Sequence, residues 1–534
     1  MSTRPRATGI QQRRGAQAQP FRDPSVARSS SGLGHEQVLP TARRRAQGAS
    51  LWAVTAAMVL STPIYANPYF IIDPNPEGPA LIQFMTDVGG ALFFSADDGV
   101  HGEELWRSNG TTYGTYMVKD LWPGAERSLP ATLTKVGSLL FYQTDDGTTG
   151  RELWMSSGAP GDIRLIKDIN ANPGGSSDPS GYAYISGCVT MAVLDGNAFF
   201  AAQDGTGTTG RELWKSDGTP EGTMLVRDVE PGPDGSWPTH LAVANDFVFF
   251  SVSGTSTGSQ LWRTDGTFDG TIMLANVQAG WTTAVGDVVY FMGDDGVIGR
   301  ELWKSDGTME GTVLVKDINP GEFFSDPDAF QGIGETVFFR ATDGEHGTEL
   351  WKSDGTEAGT VMIKDIRPDG TSWPRELTEL NGLLYFSAYD PVYGRELWVS
   401  DGTEAGTLLV KDINTEGSST PDRLSTLSGK LYFIADDGVH GKEIWQSDGS
   451  AEGTFMVADL NPGPSNSLTE APTPAGGLLF FSASNGQPGG SGLWAYDPDP
   501  PLIPTASVWG IAAMALSLLA AGSVLARRRA RCRG

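Results

Sequence analysis

The stretch Glu301-Leu302-Trp303-Lys304-Ser305-Asp306-Gly307-Thr308 is one copy of a phrase that recurs along the whole chain of 534 residues. Successive anchor tryptophans are separated by 48, 60, 48, 41, 48, 47, 47 and 49 residues, and they are Trp106, Trp154, Trp214, Trp262, Trp303, Trp351, Trp398, Trp445 and Trp494. A near-constant period of this length is typical of repeated supersecondary units. The sequence therefore predicts one repeat domain over residues 67–498.

Each repeat has the composition of short β-strands joined by tight turns. An aromatic run such as Tyr290-Phe291 is followed by Leu302-Trp303 and then by Val315-Lys316-Asp317, with Asp-Gly turns between them. These turns are strong hairpin signals, and three or four short strands per repeat are typical of propeller blades. We therefore predict an all-β β-propeller of nine blades, or eight if the short Trp262–Trp303 interval merges with a neighbour. An open β-solenoid is the alternative architecture.

The two ends of the repeat array complement each other. The last copy, around Trp494, lacks the Val-Lys-Asp strand, whereas Phe70-Ile71-Ile72-Asp73 resembles that strand and precedes the first copy. Pairing of the N-terminal strand with the last blade would close a ring and cover exposed sheet edges. This complementarity favours a closed propeller over a solenoid.

Charge is distributed unevenly along the chain, whose formal net charge is -26. Nine arginines and two acidic residues lie in residues 1–66, and five arginines lie after residue 526; the intervening region has 24 basic and 62 acidic residues. Such an acidic region repels phosphate backbones, so we expect no nucleic-acid partner. Two cysteines, Cys188 and Cys532, give no disulfide framework.

The N-terminal 66 residues are predicted to be a targeting region. Residues 1–42 are rich in Arg, Ser and Gln and are expected to be disordered or to be an extension upstream of the true start. Residues 43–66 contain Arg43-Arg44-Arg45, the apolar run 51–60 and a small residue, Ala66, after which we predict signal-peptide cleavage. The repeat domain is therefore expected to be exported.

The C-terminal residues are predicted to form a membrane anchor. A linker and sorting motif at 499–506 precede the apolar residues 507–526, which are long enough for one transmembrane helix. The Arg-rich residues 527–534 follow and favour a cytoplasmic end. Both termini therefore predict a location in the cell envelope or at the cell surface.

Two resemblances to known families agree with these predictions. Residues 301–308 match the bacterial ELWxxDGT repeat family at every position. The C-terminus resembles the IPTL-type sorting signal, related to signals processed by exosortase-family enzymes, through Ile503, Pro504, Thr505, Trp509 and Gly510. The resemblances imply a secreted or surface protein without an established enzymatic activity, and a sorting transpeptidase of the exosortase type as a partner.

Acidic turns are the candidate metal site. Dense carboxylates in Gly-rich loops suit Ca²⁺, and the candidates are Asp97, Asp98, Asp294, Asp295, Asp436 and Asp437. Asp also forms turns without a metal, and Asn109 and Ser157 occupy one of the repeated Asp positions. The sequence therefore favours structural turns, with calcium as the alternative and no other cofactor expected. Ile298 replaces the histidines His101, His346 and His440 in its repeat, which argues against a zinc site.

Residues that differ between repeats are better functional candidates than residues that recur. The recurring Glu and Trp of Glu-Leu-Trp are expected to be structural, whereas Trp122, Trp237, Trp281 and Trp373 are candidate ligand contacts for a glycan or a surface protein. We therefore expect a binding, adhesion or structural module without catalysis. The alternatives are a calcium-stiffened surface-layer component and an extracellular enzyme of glycosidase or lyase type. A non-repeated acidic or His cluster facing the central channel would favour the enzyme.

Overall fold

The computed structural model describes residues 67–179, 191–254, 258–468 and 470–500. Within these ranges, strands β1 to β36 form nine antiparallel sheets of four strands each, and Thr112–Gly114 forms one turn of 3-10 helix. Each sheet is one blade. The predicted all-β propeller of nine blades is confirmed.

The first four blades have the strand order predicted by the repeat. They comprise β2 (Gln83–Val88), β3 (Ala91–Asp97), β4 (Glu103–Ser108), β5 (Tyr116–Met117); β6 (Ala131–Val136), β7 (Leu139–Asp145), β8 (Arg151–Ser156), β9 (Ile163–Lys167); β10 (Met191–Leu194), β11 (Asn197–Gln203), β12 (Arg211–Ser216), β13 (Met224–Arg227); β14 (Thr239–Ala244), β15 (Phe247–Gly254), β16 (Gly258–Thr264) and β17 (Ile272–Ala275).

The next four blades repeat this arrangement. They comprise β18 (Gln278–Val285), β19 (Val288–Asp294), β20 (Arg300–Ser305), β21 (Val313–Lys316); β22 (Asp328–Ile333), β23 (Thr336–Thr342), β24 (Thr348–Ser353), β25 (Val361–Lys364); β26 (Arg375–Leu380), β27 (Leu383–Asp390), β28 (Gly394–Ser400), β29 (Leu408–Lys411); β30 (Asp422–Leu427), β31 (Lys430–Asp436), β32 (Lys442–Ser447) and β33 (Phe455–Ala458).

The ninth blade is built from both ends of the array. It contains β34 (Thr473–Ala475), β35 (Leu478–Ser484), β36 (Ser491–Tyr496) and the N-terminal β1 (Tyr69–Ile72). Strand β1 pairs antiparallel with β36, with Phe70 opposite Trp494. The first strand of every blade contacts the first strands of both neighbouring blades, from β2 round to β34 and back to β2. These first strands are the inner strands of the ring.

Apolar side chains of adjacent blades form the core. The second strand of a blade is covered on both sides by the sheets of the neighbouring blades, so β3 is buried along its whole length. Phe93 of the first blade packs with Leu140 and Trp154 of the second, and the same arrangement recurs round the ring. The repeated Trp therefore packs between sheets as predicted, because a large aromatic ring buried there removes roughly 150–250 Å² from water.

The alternative of eight blades is wrong. The short Trp262–Trp303 interval forms a complete blade, β18 to β21, because only Asn276 and Val277 separate β17 from β18. No helix in the described part of the chain is long and apolar enough to cross a membrane. The predicted transmembrane helix at 507–526 lies outside the described residues.

Candidate functional site

One face of the propeller carries most of the candidate residues. Because successive strands of a blade are antiparallel, the second-to-third strand turns lie on the same face as the loops that lead into the next inner strand. We call this the loop face. The Asp-rich turns belong to the first group, and the loops with Trp122, Trp237 and Trp373 belong to the second.

The Asp pairs of the candidate calcium series are engaged in turn formation. Oδ1 of Asp97 accepts a hydrogen bond from the Gly99 amide at 2.7 Å, and Oδ1 of Asp98 accepts from the amides of Val100 and His101 at 2.9 and 2.7 Å. Asp294, Asp295, Asp436 and Asp437 form the same bonds. Across the described ranges, no group of three or more His, Cys, Asp or Glu side chains is arranged to hold a metal ion.

The three repeated histidines belong to these turns. Nδ1 of His101 lies 2.7 Å from Oδ2 of Asp98, and His346 and His440 contact Asp343 and Asp437 in the same way. The hydrogen bond that Nδ1 of His101 donates to Asp98 raises the pKa of His101 above its usual value. Although burial opposes the change, hydrogen bonds from the His101 backbone and side chain lower the pKa of Asp98. The pairs stabilise local turns.

The candidate tryptophans occupy two kinds of position. Trp122 is half-buried and lies against Gly147 of the next blade, where an added Cβ would come within 2.5 Å of the indole. Trp237, Trp281 and Trp373 are 50%, 37% and 40% exposed and have φ values of 52°, 49° and 49°. A positive φ is uncommon for a bulky residue and is often associated with function.

A bulge in the inner strand is a position at which the repeats differ. In the first blade the register shifts between Gln83 and Thr86, and similar shifts occur in most other inner strands. The first residue of each bulge has a positive φ, and these residues are Phe84, Thr132, His240, Trp281, Ala329, Glu376 and Arg423. Bulges are frequent beside active sites, where they redirect a side chain.

Two of these bulge residues begin a charged chain across three blades. Oε2 of Glu376 accepts a hydrogen bond of 3.0 Å from the backbone amide of Arg423, and Nη1 of Arg423 donates to Oε2 of Glu470 at 3.1 Å. Burial, followed by the charge of Asp422, raises the pKa of Glu376 above its usual value. The site therefore joins an acid of raised pKa to an ion-paired carboxylate.

A cavity lies beside Glu470, where the first and last blades meet and the ring closes. It has a volume of about 440 Å³, and its lining includes Leu81 and Gln83 of the first blade with Glu470, Ser482 and Ser484 of the last. Thus Glu470 both lines the cavity and contacts Arg423. Sequence reasoning missed Glu376, Arg423 and Glu470; the available signal was the variability of the fourth residue after the repeated loop Ser, where Glu376 follows Ser372 and Arg423 follows Ser419.

The recurring glutamates are part of the scaffold. Seven blades have a buried Glu before Leu-Trp or Ile-Trp, whereas the fourth and ninth blades have Gln260 and Gly492. Burial raises the pKa to about 7 for Glu104, Glu152, Glu212, Glu301, Glu349 and Glu443. A raised pKa often marks a functional acid, but its recurrence round the ring identifies a structural role here.

Several sequence-based predictions concern residues beyond the described ranges. These are signal cleavage after Ala66, the lack of a disulfide framework from Cys188 and Cys532, and the sorting motif of Ile503, Pro504, Thr505, Trp509 and Gly510. They stay predictions.

No family model and no curated protein matches the chain. Solved structures that resemble it include puromycin hydrolase, at 14% identity and a TM-score of 0.36 over 70% of this chain and 61% of that chain. A puromycin-hydrolyzing peptidase of Mycobacterium tuberculosis has 11% identity and a TM-score of 0.34, covering 70% and 60%. A prolyl endopeptidase has 15% identity and a TM-score of 0.37, covering 66% and 52%. The chain thus spans about half to three fifths of these proteins.

These similar structures are enzymes, which contradicts the expectation of a binding, adhesion or structural module without catalysis. That expectation is corrected accordingly. The TM-scores and identities are too low to transfer a reaction or a substrate to this chain, so its chemistry must be argued from its own residues.

Proposed function

We propose that the protein is an exported enzyme that hydrolyses glycosidic bonds, with Glu376 and Glu470 as its reacting carboxylates. The observation that carries the proposal is the chain from Glu376 through Arg423 to Glu470 on three consecutive blades. This series of contacts is not repeated in the other described blades, where Phe84, Thr132, His240, Trp281 and Ala329 replace Glu376. A catalytic pair is singular, whereas a scaffold residue recurs.

Glu376 is assigned as the general acid. Its raised pKa, caused by burial and by the charge of Asp422, lets the carboxyl retain a proton closer to neutral pH than an ordinary Glu does. In glycoside hydrolysis such an acid gives its proton to the glycosidic oxygen as the bond from C1 to that oxygen breaks. The positive φ of 58° at Glu376 belongs to the bulge, whose first residue has a positive φ in seven inner strands.

Glu470 is assigned as the second carboxylate. Its ion pair with Arg423 orients it, and it lines the cavity of about 440 Å³ between the first and last blades. Cavities of about 300–1,000 Å³ are typical of small-ligand sites, so this one has room for a sugar residue and a water molecule. Glu470 would remove a proton from the water as it adds to C1.

The proposed location is the cell envelope. Support comes from the basic and apolar residues before Ala66, and from the sorting motif and apolar segment after residue 502. A substrate outside the cytoplasm, such as an extracellular glycan, agrees with this location. Replacing Ile503-Pro504-Thr505 by alanines should block processing of the tail by the sorting transpeptidase, and unchanged processing would defeat that part of the proposal.

Activity is tested with the full-length protein on a panel of neutral and acidic polysaccharides, by measuring new reducing ends. We expect Glu376→Gln to lower kcat by roughly 100-fold or more, as is usual for loss of a general acid. Glu470→Gln should lower kcat similarly. The matched control is Glu379→Gln on the same strand, because Glu379 is exposed and caps the amide of Gly382 at 2.7 Å.

Three results would overturn the assignment. They are the absence of cleavage of every polysaccharide by the wild-type protein, full activity in both Gln variants, and an equal loss of activity in the Glu379 control. An unsaturated product without incorporation of water would replace hydrolysis by elimination. The melting temperature of each variant is measured so that a folding defect is not read as a catalytic one.

A further inference from the structure

An arginine cluster surrounds the exposed Trp373 on the loop face. The region between the two targeting ends has 24 basic residues against 62 acidic ones, so a local excess of arginines there is unusual. Arg340, Arg375 and Arg395 nevertheless converge on the loop that carries Trp373. This loop immediately precedes the bulge of β26. Arg375 directly precedes the proposed catalytic acid Glu376 in the chain.

Two of the three arginines are held in place by the protein. The guanidinium of Arg340 lies 4.6 Å from the centre of the Trp373 ring, donates to Asp328, and also donates to the Pro374 carbonyl at 3.2 Å. Arg395 donates to the carbonyls of Trp373 and Ser372 at 3.0 and 3.2 Å. Together, Arg340 and Arg395 hold the backbone and the ring of Trp373 in place.

The third arginine, Arg375, is exposed and directly follows Pro374. Within the described residues its side chain has no hydrogen bond and no ion pair. Its charge acts on its neighbours, because burial, followed by the charges of Arg375 and Arg340, lowers the pKa of Arg395 to about 10. Arg340 is already paired with Asp328, so an anion bound between Arg375 and Arg395 would reduce the repulsion of those two guanidinium groups.

The fourth blade provides an internal comparison. Trp237 occupies the same loop position as Trp373 and is also exposed, but Thr239 stands in place of Arg375. According to the strand registers, Ala201 and Ser259 stand in place of Arg340 and Arg395. An exposed Trp therefore recurs in this loop, with Arg211 at 5.8 Å from the centre of the Trp237 ring, whereas Arg340, Arg375 and Arg395 belong to the seventh-blade loop.

We propose that Trp373 and Arg375 form a subsite for a carboxylate-bearing sugar, a hexuronic acid residue of an acidic glycan. The exposed indole ring stacks on the sugar ring, and the guanidinium of Arg375 binds the carboxylate in the bidentate manner that suits the planar groups. Arg340 and Arg395 hold the ring and the loop, and Arg395 adds to the positive potential. Trp373 precedes Glu376 by three residues in the chain; its ring contacts Arg340 of the sixth blade, whereas Glu376 contacts Arg423 of the eighth.

The assignment of this ligand as a substrate rests on the proposed function, whereas its binding can be measured separately. The probe is a short oligogalacturonide, titrated into the full-length protein by calorimetry, with the neutral oligogalactoside of the same length as the matched ligand. Inorganic sulfate is the third ligand. Glu376→Gln should bind the oligogalacturonide as the wild type does and should fail to cleave it.

We expect Arg375→Gln to weaken oligogalacturonide binding by roughly 10- to 100-fold, as is typical of a lost charge-assisted hydrogen bond. Trp373→Ala should weaken it by a similar factor, and the matched control Trp237→Ala should leave it unchanged. Binding of the wild type should weaken as salt is added. Melting temperatures of all variants establish that they are folded.

Equal binding of the neutral oligogalactoside, or unchanged affinity in Arg375→Gln, would overturn the subsite. Displacement of the oligogalacturonide by an equal concentration of sulfate would also overturn it, because it would identify a simple anion site. Specific binding without any cleavage by the wild type would leave the subsite in place and refute the proposed hydrolysis, so the two failures are distinguishable.

Discussion

The hydroxyl of Ser236 donates a hydrogen bond of 2.6 Å to Oε2 of Glu212, and this pair connects the third blade to the loop that begins the fourth. The same carboxylate accepts the amide of Ser236 at 2.8 Å and that of Val229 at 3.1 Å. Equivalent Ser–Glu bonds recur from Glu104 and Ser128 to Glu443 and Ser467. The repeated Glu therefore fixes the connection between blades by satisfying buried donors.

Loss of one such hydroxyl should destabilise the propeller measurably. We expect Ser467→Ala to lower the free energy of unfolding by about 1–3 kcal/mol, because it leaves the buried carboxylate of Glu443 with one donor fewer. Denaturant unfolding of the full-length protein provides the measurement. The control is Ser465→Ala, two residues earlier in the same loop, where the side chain is exposed. Equal effects of both substitutions would contradict the structural role of the hydroxyl.

The role of the repeated Glu could be predicted only in part from the sequence. Recurrence of Glu-Leu-Trp indicated a scaffold residue, and the period indicated blades. The partner of Glu212 lies 24 residues later in the chain, in a loop whose length differs between repeats. A recurring Ser-X-Pro, as in Ser236-Trp237-Pro238, was the available signal, and its contact with the Glu depends on how one blade packs on the next.

Ring closure shows the opposite case, since the incomplete last repeat and the extra first strand were both visible in the sequence. The proposed site was not visible, because Glu376, Arg423 and Glu470 look like ordinary surface charges. Their proximity depends on contacts between the inner strands of neighbouring blades, which bring together side chains from different repeats and cannot be seen in the sequence of one repeat. The low variability of the repeated phrase drew attention to the scaffold instead.

The stability of the propeller should fall as the pH rises towards neutrality. Burial raises the pKa of six repeated glutamates, Glu212 among them, to about 7, whereas the ordinary pKa of Glu is 4.5. Between these values the folded state retains protons that the unfolded chain releases, so the free energy of unfolding decreases with increasing pH. Each such group changes the slope by up to about 1.4 kcal/mol per pH unit.

Glu212→Gln tests this pH dependence, because Gln260 already occupies the equivalent position of the fourth blade and its Oε1 accepts from Nε1 of Trp262 at 2.9 Å. Between about pH 5 and 7, the unfolding free energy of the variant should depend less steeply on pH, and the difference in slope should equal the contribution of one Glu side chain. Glu221→Gln, at an exposed position, should leave the slope as it is. A slope that Glu212→Gln does not change would show that this Glu is ionised throughout.

Removal of calcium should leave the melting temperature unchanged. Oδ1 of Asp437 already accepts the amides of Val439 and His440, both at 2.9 Å, and Oδ2 contacts Nδ1 of His440 at 2.7 Å. A site filled at about 100 times its Kd would stabilise the fold by about 2.7 kcal/mol, which thermal unfolding with and without chelator would detect. A lower melting temperature in chelator, restored by Ca²⁺ and abolished by Asp437→Asn, would instead assign calcium to these turns.

The N-terminal strand should be required for the stability of the ring. Ile71 of β1 is 3% exposed and packs with Phe480 and Leu493 of the last blade and with Leu92 of the first. We expect Ile71→Ala to reduce the free energy of unfolding by about 2–5 kcal/mol, the range for removing a buried aliphatic side chain. The neighbouring Tyr69 is 38% exposed, so Tyr69→Ala should have a smaller effect. Because β1 is the outer partner of β36, Ile71→Ala should also make the segment around Trp494 more sensitive to protease. Equal stability of the two variants, with no change in proteolysis, would show that the blade holds together without β1.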